Sequence, residues 1–155
     1  LLDLGLDPFN FGDALLGVVG QRLARRLCTA CRIAYTAPED ELAMLAYEYC
    51  LDTALSADKV LADWHAGHAG ADGKLTLYRA HGCEECSGSG YKGRLGIHEL
   101  LVNSVTIKRM ILNHASVAEL TAQAVAEGMA TLRQDGIFKI LQGYTDWEQV
   151  RALTS

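Results

Sequence analysis

No apolar run in this 155-residue chain approaches the ~20 residues of a membrane-spanning helix, and no secretory leader is legible. Basic residues are in deficit. The 14 Lys and Arg against 19 Asp and Glu give a formal net charge of −5. That leaves no cationic excess for nonspecific nucleic-acid binding. Catalytic signatures are scarce too: there is no G-x4-G-K-[ST] phosphate loop, no H-E-x-x-H and no G-x-S-x-G. Asp135 with Asp146, or Glu84 with Glu85, are imaginable acid/base pairs, but solvated carboxylates on helices and loops are far commoner. The chain therefore offers no catalytic constellation. Leu1 is not a natural start, and the residues that follow read as mid-domain sequence, so a piece of a longer polypeptide is expected.

What the chain does have is 5 cysteines, four of them in two matched pairs. Cys28-Thr29-Ala30-Cys31 and Cys83-Glu84-Glu85-Cys86 are both C-x2-C, separated by 51 residues. A C-x2-C turn lets two thiolates reach one ion, and two such turns complete a tetrahedron with Zn–S distances of about 2.3 Å. Paired C-x2-C without a secretion signal favours a reducing compartment and a metal over disulfides. Cys28, Cys31, Cys83 and Cys86 are therefore expected to hold a Zn2+. Four thiolates fill every position, so no water binds and the metal is structural rather than catalytic. The assembly carries a net charge of −2. Some of Arg25, Arg26 and Arg32 near the first pair, and Lys92 and Arg94 after the second, are expected to offset it together with backbone N–H groups. Gly88, Gly90 and Gly93 let the backbone turn close to the sulfurs. His65, His68 and His81 are alternative ligands, though ordinary loop histidines are the commoner reading. Cys50 reads as a small core residue.

Periodicity predicts the elements. Asp7-Pro8 fits a helix start, and Leu15, Leu16, Val19, Leu23 and Leu27 share one sector of a helical wheel, predicting a helix over about 11–27. Arg22 and Arg26 flank that sector. They read either as contacts to a neighbouring subunit or nucleotide, or, more commonly, as surface arginines lying over apolar groups. Thr36-x-x-Glu39 predicts a capping box for a helix to about Leu51, and a third helix spans about 56–66. Leu75–Tyr78 and Arg94–Val102 read as strands. Ser104, then the boxes Ser116-x-x-Glu119, Thr131-x-x-Gln134 and Thr145-x-x-Glu148, start four helices. Gly128 and Gly143 stop two of them. The expected fold class is α+β, mostly α: a tetracysteine zinc-binding subdomain with a small antiparallel sheet, then a C-terminal helical bundle.

Three stretches together resemble a known family. They are Gly17-Val18-Val19-Gly20-Gln21-Arg22-Leu23-Ala24-Arg25-Arg26-Leu27-Cys28-x2-Cys31, Leu77-Tyr78-Arg79-Ala80-x-Gly82-Cys83-x2-Cys86 continuing to Gly96-Ile97-x-Glu99, and Gly128-Met129-x-Thr131-Leu132-Arg133-Gln134-Asp135-Gly136 continuing to Gly143-x-Thr145. Leu4-Gly5-Leu6-Asp7-Pro8-Phe9 fits as well. In this order they resemble the C-terminal region of the motor ATPases of type II secretion and type IV pilus assembly, the GspE/PilB group.

The resemblance implies residues 1–27 as the end of a RecA-like ATPase core. It implies 28–102 as a zinc-binding subdomain with a helical insertion at about 37–66, and 103–155 as a C-terminal helical subdomain. The family's phosphate loop and acidic and histidine boxes lie upstream of such a segment, so ATP and Mg2+ would bind only there and no catalytic residue carries over. It further implies a homo-hexamer in the cytoplasm, peripheral to the bacterial inner membrane through an inner-membrane platform protein, with neighbouring subunits as partners. A binding module like the zinc region of the Hsp40 co-chaperones is an alternative, because Cys83-x2-Cys86-x-Gly88-x-Gly90 matches their repeat. The first pair lacks those glycines. A zinc-ribbon nucleic-acid binder is weighed down by the acidic balance.

Overall fold

The computed structural model describes residues 7–154, so Leu4-Gly5-Leu6 of the family resemblance lies outside the described residues. The elements run α1 (Pro8–Ala14), β1 (Gly17–Leu27), β2 (Ile33–Thr36), α2 (Glu39–Cys50), α3 (Ala57–His68), β3 (Thr76–Arg79), β4 (Tyr91–Val102), α4 (Val105–Leu112), α5 (Val117–Ala126), α6 (Leu132–Leu141) and α7 (Trp147–Thr154). The α+β class holds, with two two-stranded antiparallel ribbons, β1–β4 and β2–β3, where one small sheet was expected.

The long helix predicted over 11–27 does not exist. Asp7 caps a short α1 by accepting from Asn10 N at 3.2 Å, and Asn103 Nδ2 closes its far end by donating to Gly12 O and Leu15 O. The chain then enters β1, which pairs with β4 from Gly17↔Val102 to Arg25↔Arg94. The helical spacing of Leu15, Leu16, Val19, Leu23 and Leu27 is coincidental. Gly17 and Gly20 are poor helix residues, Val18 and Val19 are β-branched, and a partner strand about 75 residues on satisfies the backbone. Arg22 therefore lies on an exposed strand, with Nη1 donating to Gln21 O. The short β2 was not expected at all. It pairs with β3 from Ile33↔Arg79 to Thr36↔Thr76. Thr36 therefore serves in a ladder, and α2 starts from Pro38 without a side-chain cap, so the Thr36–Glu39 box is not formed.

Two apolar clusters organise the molecule. The larger joins Leu42, Leu45 and Ala46 of α2, Val60 and Trp64 of α3, Leu77 of β3, Ile137, Ile140 and Leu141 of α6, and Val150 of α7. Tyr49 meets Trp64 edge to face at 5.6 Å, Arg133 Nη1 pairs with Glu48 at 2.9 Å, and buried Gln134 donates to Tyr49 O at 3.0 Å. The smaller cluster has Ile107, Ile111 and Ala124 at its centre, with Phe11, Leu15, Leu101 and Leu120 around them. The four C-terminal helices are present, but they do not share one core. Helices α4 and α5 pack with α1, whereas α6 and α7 pack on α2, β1 and β4. The expected self-contained bundle is not seen.

Candidate metal centre

Strand geometry brings the four cysteines together. The first pair lies between the end of β1 and the start of β2. The second lies between the end of β3 and the start of β4. Because β1 pairs with β4 and β2 with β3, the two cysteine loops must face each other where the ribbons meet. A bulge between Arg25 and Leu27 turns β1 toward the site, and Cys28 N donates to Gly90 O at 2.8 Å.

The four Sγ atoms lie within 4.8 Å of one another. Cys28–Cys83 and Cys31–Cys86 are each 3.9 Å apart, and Cys83–Cys86 is 3.8 Å. A disulfide needs about 2.05 Å, so these are not bonded sulfurs. A regular tetrahedron with Zn–S bonds of about 2.3 Å has edges of about 3.8 Å. These three separations match edges of such a tetrahedron, and these residues fit a tetrathiolate ion.

Backbone amides, not arginines, surround the sulfurs. Gly82 N donates to Cys31 Sγ at 3.3 Å, Cys83 N to Cys86 Sγ at 3.2 Å, and Gly90 N to Cys86 Sγ at 3.2 Å. Such bonds stabilise thiolate charge. Burial opposes ionisation of Cys86, but the amides of Cys83 and Gly90 and side-chain bonds from Cys83 and Cys31 outweigh it and bring its pKa down to about 6. Burial drives Cys31 up to about 12. Two glycines make this approach possible. A Cβ on Gly82, at φ +115°, would lie 2.5 Å from Gly88 O, and one on Gly90 would lie 2.6 Å from Ala80 Cβ.

The expected cationic shell is corrected. Arg25 lies over Tyr91 at 4.3 Å, Arg26 over Tyr144 at 5.3 Å and Arg32 over Tyr78 at 4.3 Å. Lys92 pairs with Glu85 at 3.0 Å. Its pKa is raised by that bond and charge, and to a lesser degree by Cys28 and Cys83, so it feels the sulfurs without touching them. Tyrosine stacking was not read from the sequence.

The other candidates separate from the site. Among the described residues the metal-competent cluster contains the four cysteines and no histidine. His65 faces Gly73 O at 3.3 Å, and His68 meets Phe138 edge to face. Cys50 sits half-buried at the edge of the larger core, where burial raises its pKa. Asp135 accepts from His98 N and Lys139, and Asp146 accepts from the Tyr91 hydroxyl, so both do structural work. Gly88-Ser89-Gly90-Tyr91-Lys92-Gly93 has the spacing of a dinucleotide fingerprint. It leads from a 3-10 turn at Glu84–Cys86 into β4, however, with no following helix to face a pyrophosphate.

The family model described as "Type II/IV secretion system protein" matches residues 1–152. The chain is 40% identical over 152 residues to the type IV pilus assembly ATPase PilB of Thermus thermophilus, covering 98% of this chain and 15% of that protein. It is 38% identical over 155 residues to type II secretion system protein E of Dickeya dadantii, covering 99% of this chain and 26% of the relative. It is 33% identical over 155 residues to the type II secretion system ATPase E of Vibrio cholerae, again covering 99% and 26%. The chain belongs to the type II/IV secretion system protein family. It spans about a quarter or less of the length of these relatives.

Proposed function

We propose that this chain is the C-terminal, zinc-bearing part of a hexameric motor ATPase that powers type II protein secretion or type IV pilus assembly. The convergence of Cys28, Cys31, Cys83 and Cys86 at tetrahedral spacing carries this reading, together with the family to which the chain belongs. The four cysteines would hold a structural Zn2+, whose bonds join the ends of all four strands. ATP and Mg2+ would bind in the upstream core of the parent protein. This segment would brace that core, on the cytoplasmic side of the inner membrane, and meet a neighbouring subunit or the platform protein.

The β1–β4 ribbon supports the placement of residues 1–27 at the end of such a core. Both its outer edges are unpaired among the described residues. Val18, Val19, Leu23, Leu100 and Val102 are between 51% and 64% exposed. A lone two-stranded ribbon with apolar residues in water is marginal, and such a surface belongs under another body. No helix among the described residues is long and apolar enough to cross a membrane.

Elemental analysis of the purified chain should return one zinc per chain, and Cys83→Ser should lose it. In the full-length parent, Cys83→Ser should abolish filament assembly or secretion. A chain that purifies without metal, or a parent that hydrolyses ATP and assembles filaments normally with Cys83→Ser, overturns the reading. Arg22→Ala in the same parent tests the contact reading of that residue, and an unaltered ATPase rate removes it.

A further inference from the structure

We propose that the connection between α6 and α7, residues 142–146, is a strap that positions the metal-bearing loops, so that metal occupancy and the docking of α7 are coupled. The inference rests on the reading of the four cysteines as a metal site. By sequence, Gly143 and Thr145 look like helix punctuation. In the structure the strap reaches every chain segment that enters or leaves the cysteine loops. Before the first pair, Leu27 N donates to Tyr144 O at 2.9 Å, and Thr145 Oγ1 donates to Arg25 O at 2.9 Å. These two bonds occupy the bulge where β1 leaves its ladder with β4. After the first pair, Arg32 donates to Gly143 O. Before the second pair, Tyr78 of β3 packs against Gly143, where an added Cβ would lie 2.5 Å from the ring. After the second pair, the Tyr91 hydroxyl donates to Asp146 Oδ2 at 2.5 Å.

Asp146 carries the coupling onward. Its second oxygen, Oδ1, accepts from Gln149 N at 3.2 Å and so caps the first turn of α7. One carboxylate is thus shared between β4, five residues past Cys86, and the start of α7. Thr145 is fully buried, so losing its contact to Arg25 O would leave a polar group unpaired. Without the cation, the two loops are joined only by bonds such as Gly82 N to Cys31 Sγ and Cys28 N to Gly90 O, beside the ribbons themselves. Parting of the loops would pull at both ends of the strap. Linkage then requires the converse: whatever factor the metal adds to the docking of α7, a docked α7 adds to metal affinity, so weakening the strap must weaken metal binding.

Two measurements test the strap. In hydrogen–deuterium exchange of the zinc-loaded chain against the same chain treated with a chelator, amides of α7 should exchange about tenfold faster without metal. Those of α4, which lies in the other apolar cluster, should not change. In the second, Tyr91→Phe and Thr145→Val are each titrated with Zn2+ against a chromophoric chelator. Each should keep one zinc per chain and bind it about tenfold more weakly. Ser104→Ala, which removes a cap from α4, should bind as the parent chain does. Unaltered α7 exchange on metal removal, equal acceleration of α4 and α7, or unaltered affinity in both strap variants overturns the strap while leaving the metal site standing. A chain that takes up no zinc overturns the metal reading, and the strap with it.

Discussion

The two ends of the molecule hold themselves together by different means. Around the knuckle, the chain relies on four sulfurs, amide-to-sulfur bonds, three arginines on tyrosine faces and a large apolar cluster that reaches α7. Around α4 and α5 there are three buried residues and a rim of half-buried ones, beside a groove of about 250 Å3 lined by Phe11, Leu15, Val18, Leu101 and Leu120. Small cores stabilise poorly on their own, which is where metals are commonly recruited. Here the proposed metal is at the end that already has the larger core. Stability alone does not require it there. A metal bound there would fix the angle between two ribbons, neither of which has a third strand among the described residues to define its orientation.

Removing the metal should give the largest effect and the sharpest contrast between the ends. Chelation should lower the melting temperature by more than about 10 °C, because the ion closes a long loop. A calorimetric scan that does not move would break the comparison at its root. Core truncation comes next. Ile137 and Ile107 are both fully buried, so their transfer contributions match. Ile137 is enclosed by α2, α7 and β3 residues that cannot collapse, whereas Ile107 borders the open groove and its neighbours can relax. Ile137→Ala should cost about 4 kcal/mol and Ile107→Ala about 2 kcal/mol by denaturant titration. The reverse order would show that the groove is rigid and that the two ends are alike.

The same contrast governs what could be read from the residues. The metal end announced itself because C-x2-C chemistry is local and the ligands are chemically distinctive. The cysteine loops needed no knowledge of the fold to be recognised. The ribbon that carries one of them was misread, because a strand paired with residues about 75 positions away leaves no local mark. Val19, Leu23 and Leu27 then happened to fall at helical spacing. Strand β2 is four residues long, too short for any period to show. Thr145-x-x-Glu148 looked like another capping box, yet Asp146 does the capping and Thr145 bonds to β1. Nothing in a Thr-x-x-Glu pattern distinguishes a hydroxyl used by its own helix from one used by a distant strand. The caps of α5 and α6 were legible for the opposite reason, since all their partners lie within one turn.

Those two caps give the smallest and most controlled comparison of the ends. In α5, Ser116 Oγ accepts from Glu119 N at 3.3 Å while the Glu119 carboxylate accepts from Ser116 N and Oγ, both at 2.7 Å. In α6, Thr131 and Gln134 make the equivalent exchange with no titratable member. Either Ser116→Ala or Thr131→Ala should cost about 1 kcal/mol at neutral pH. Acid should separate them. The bonds from Ser116 hold the Glu119 carboxyl below its ordinary value of 4.5. A folded-state pKa below the unfolded one contributes stability that is present above about pH 4.5 and is lost as the pH falls through the lowered value. The gap between Glu119→Gln and the parent chain should therefore narrow below pH 4.5, while the gap for Gln134→Ala stays constant across the same range. Amide exchange in α5 and α6, followed from pH 6 to pH 3, reads both. Asp135, Glu48 and Glu99 also contact α6, so the comparison is read from the gap between each cap variant and the parent chain. An acid dependence of the Gln134→Ala gap matching that of Glu119→Gln would show that the two caps respond alike, and this contrast would fail.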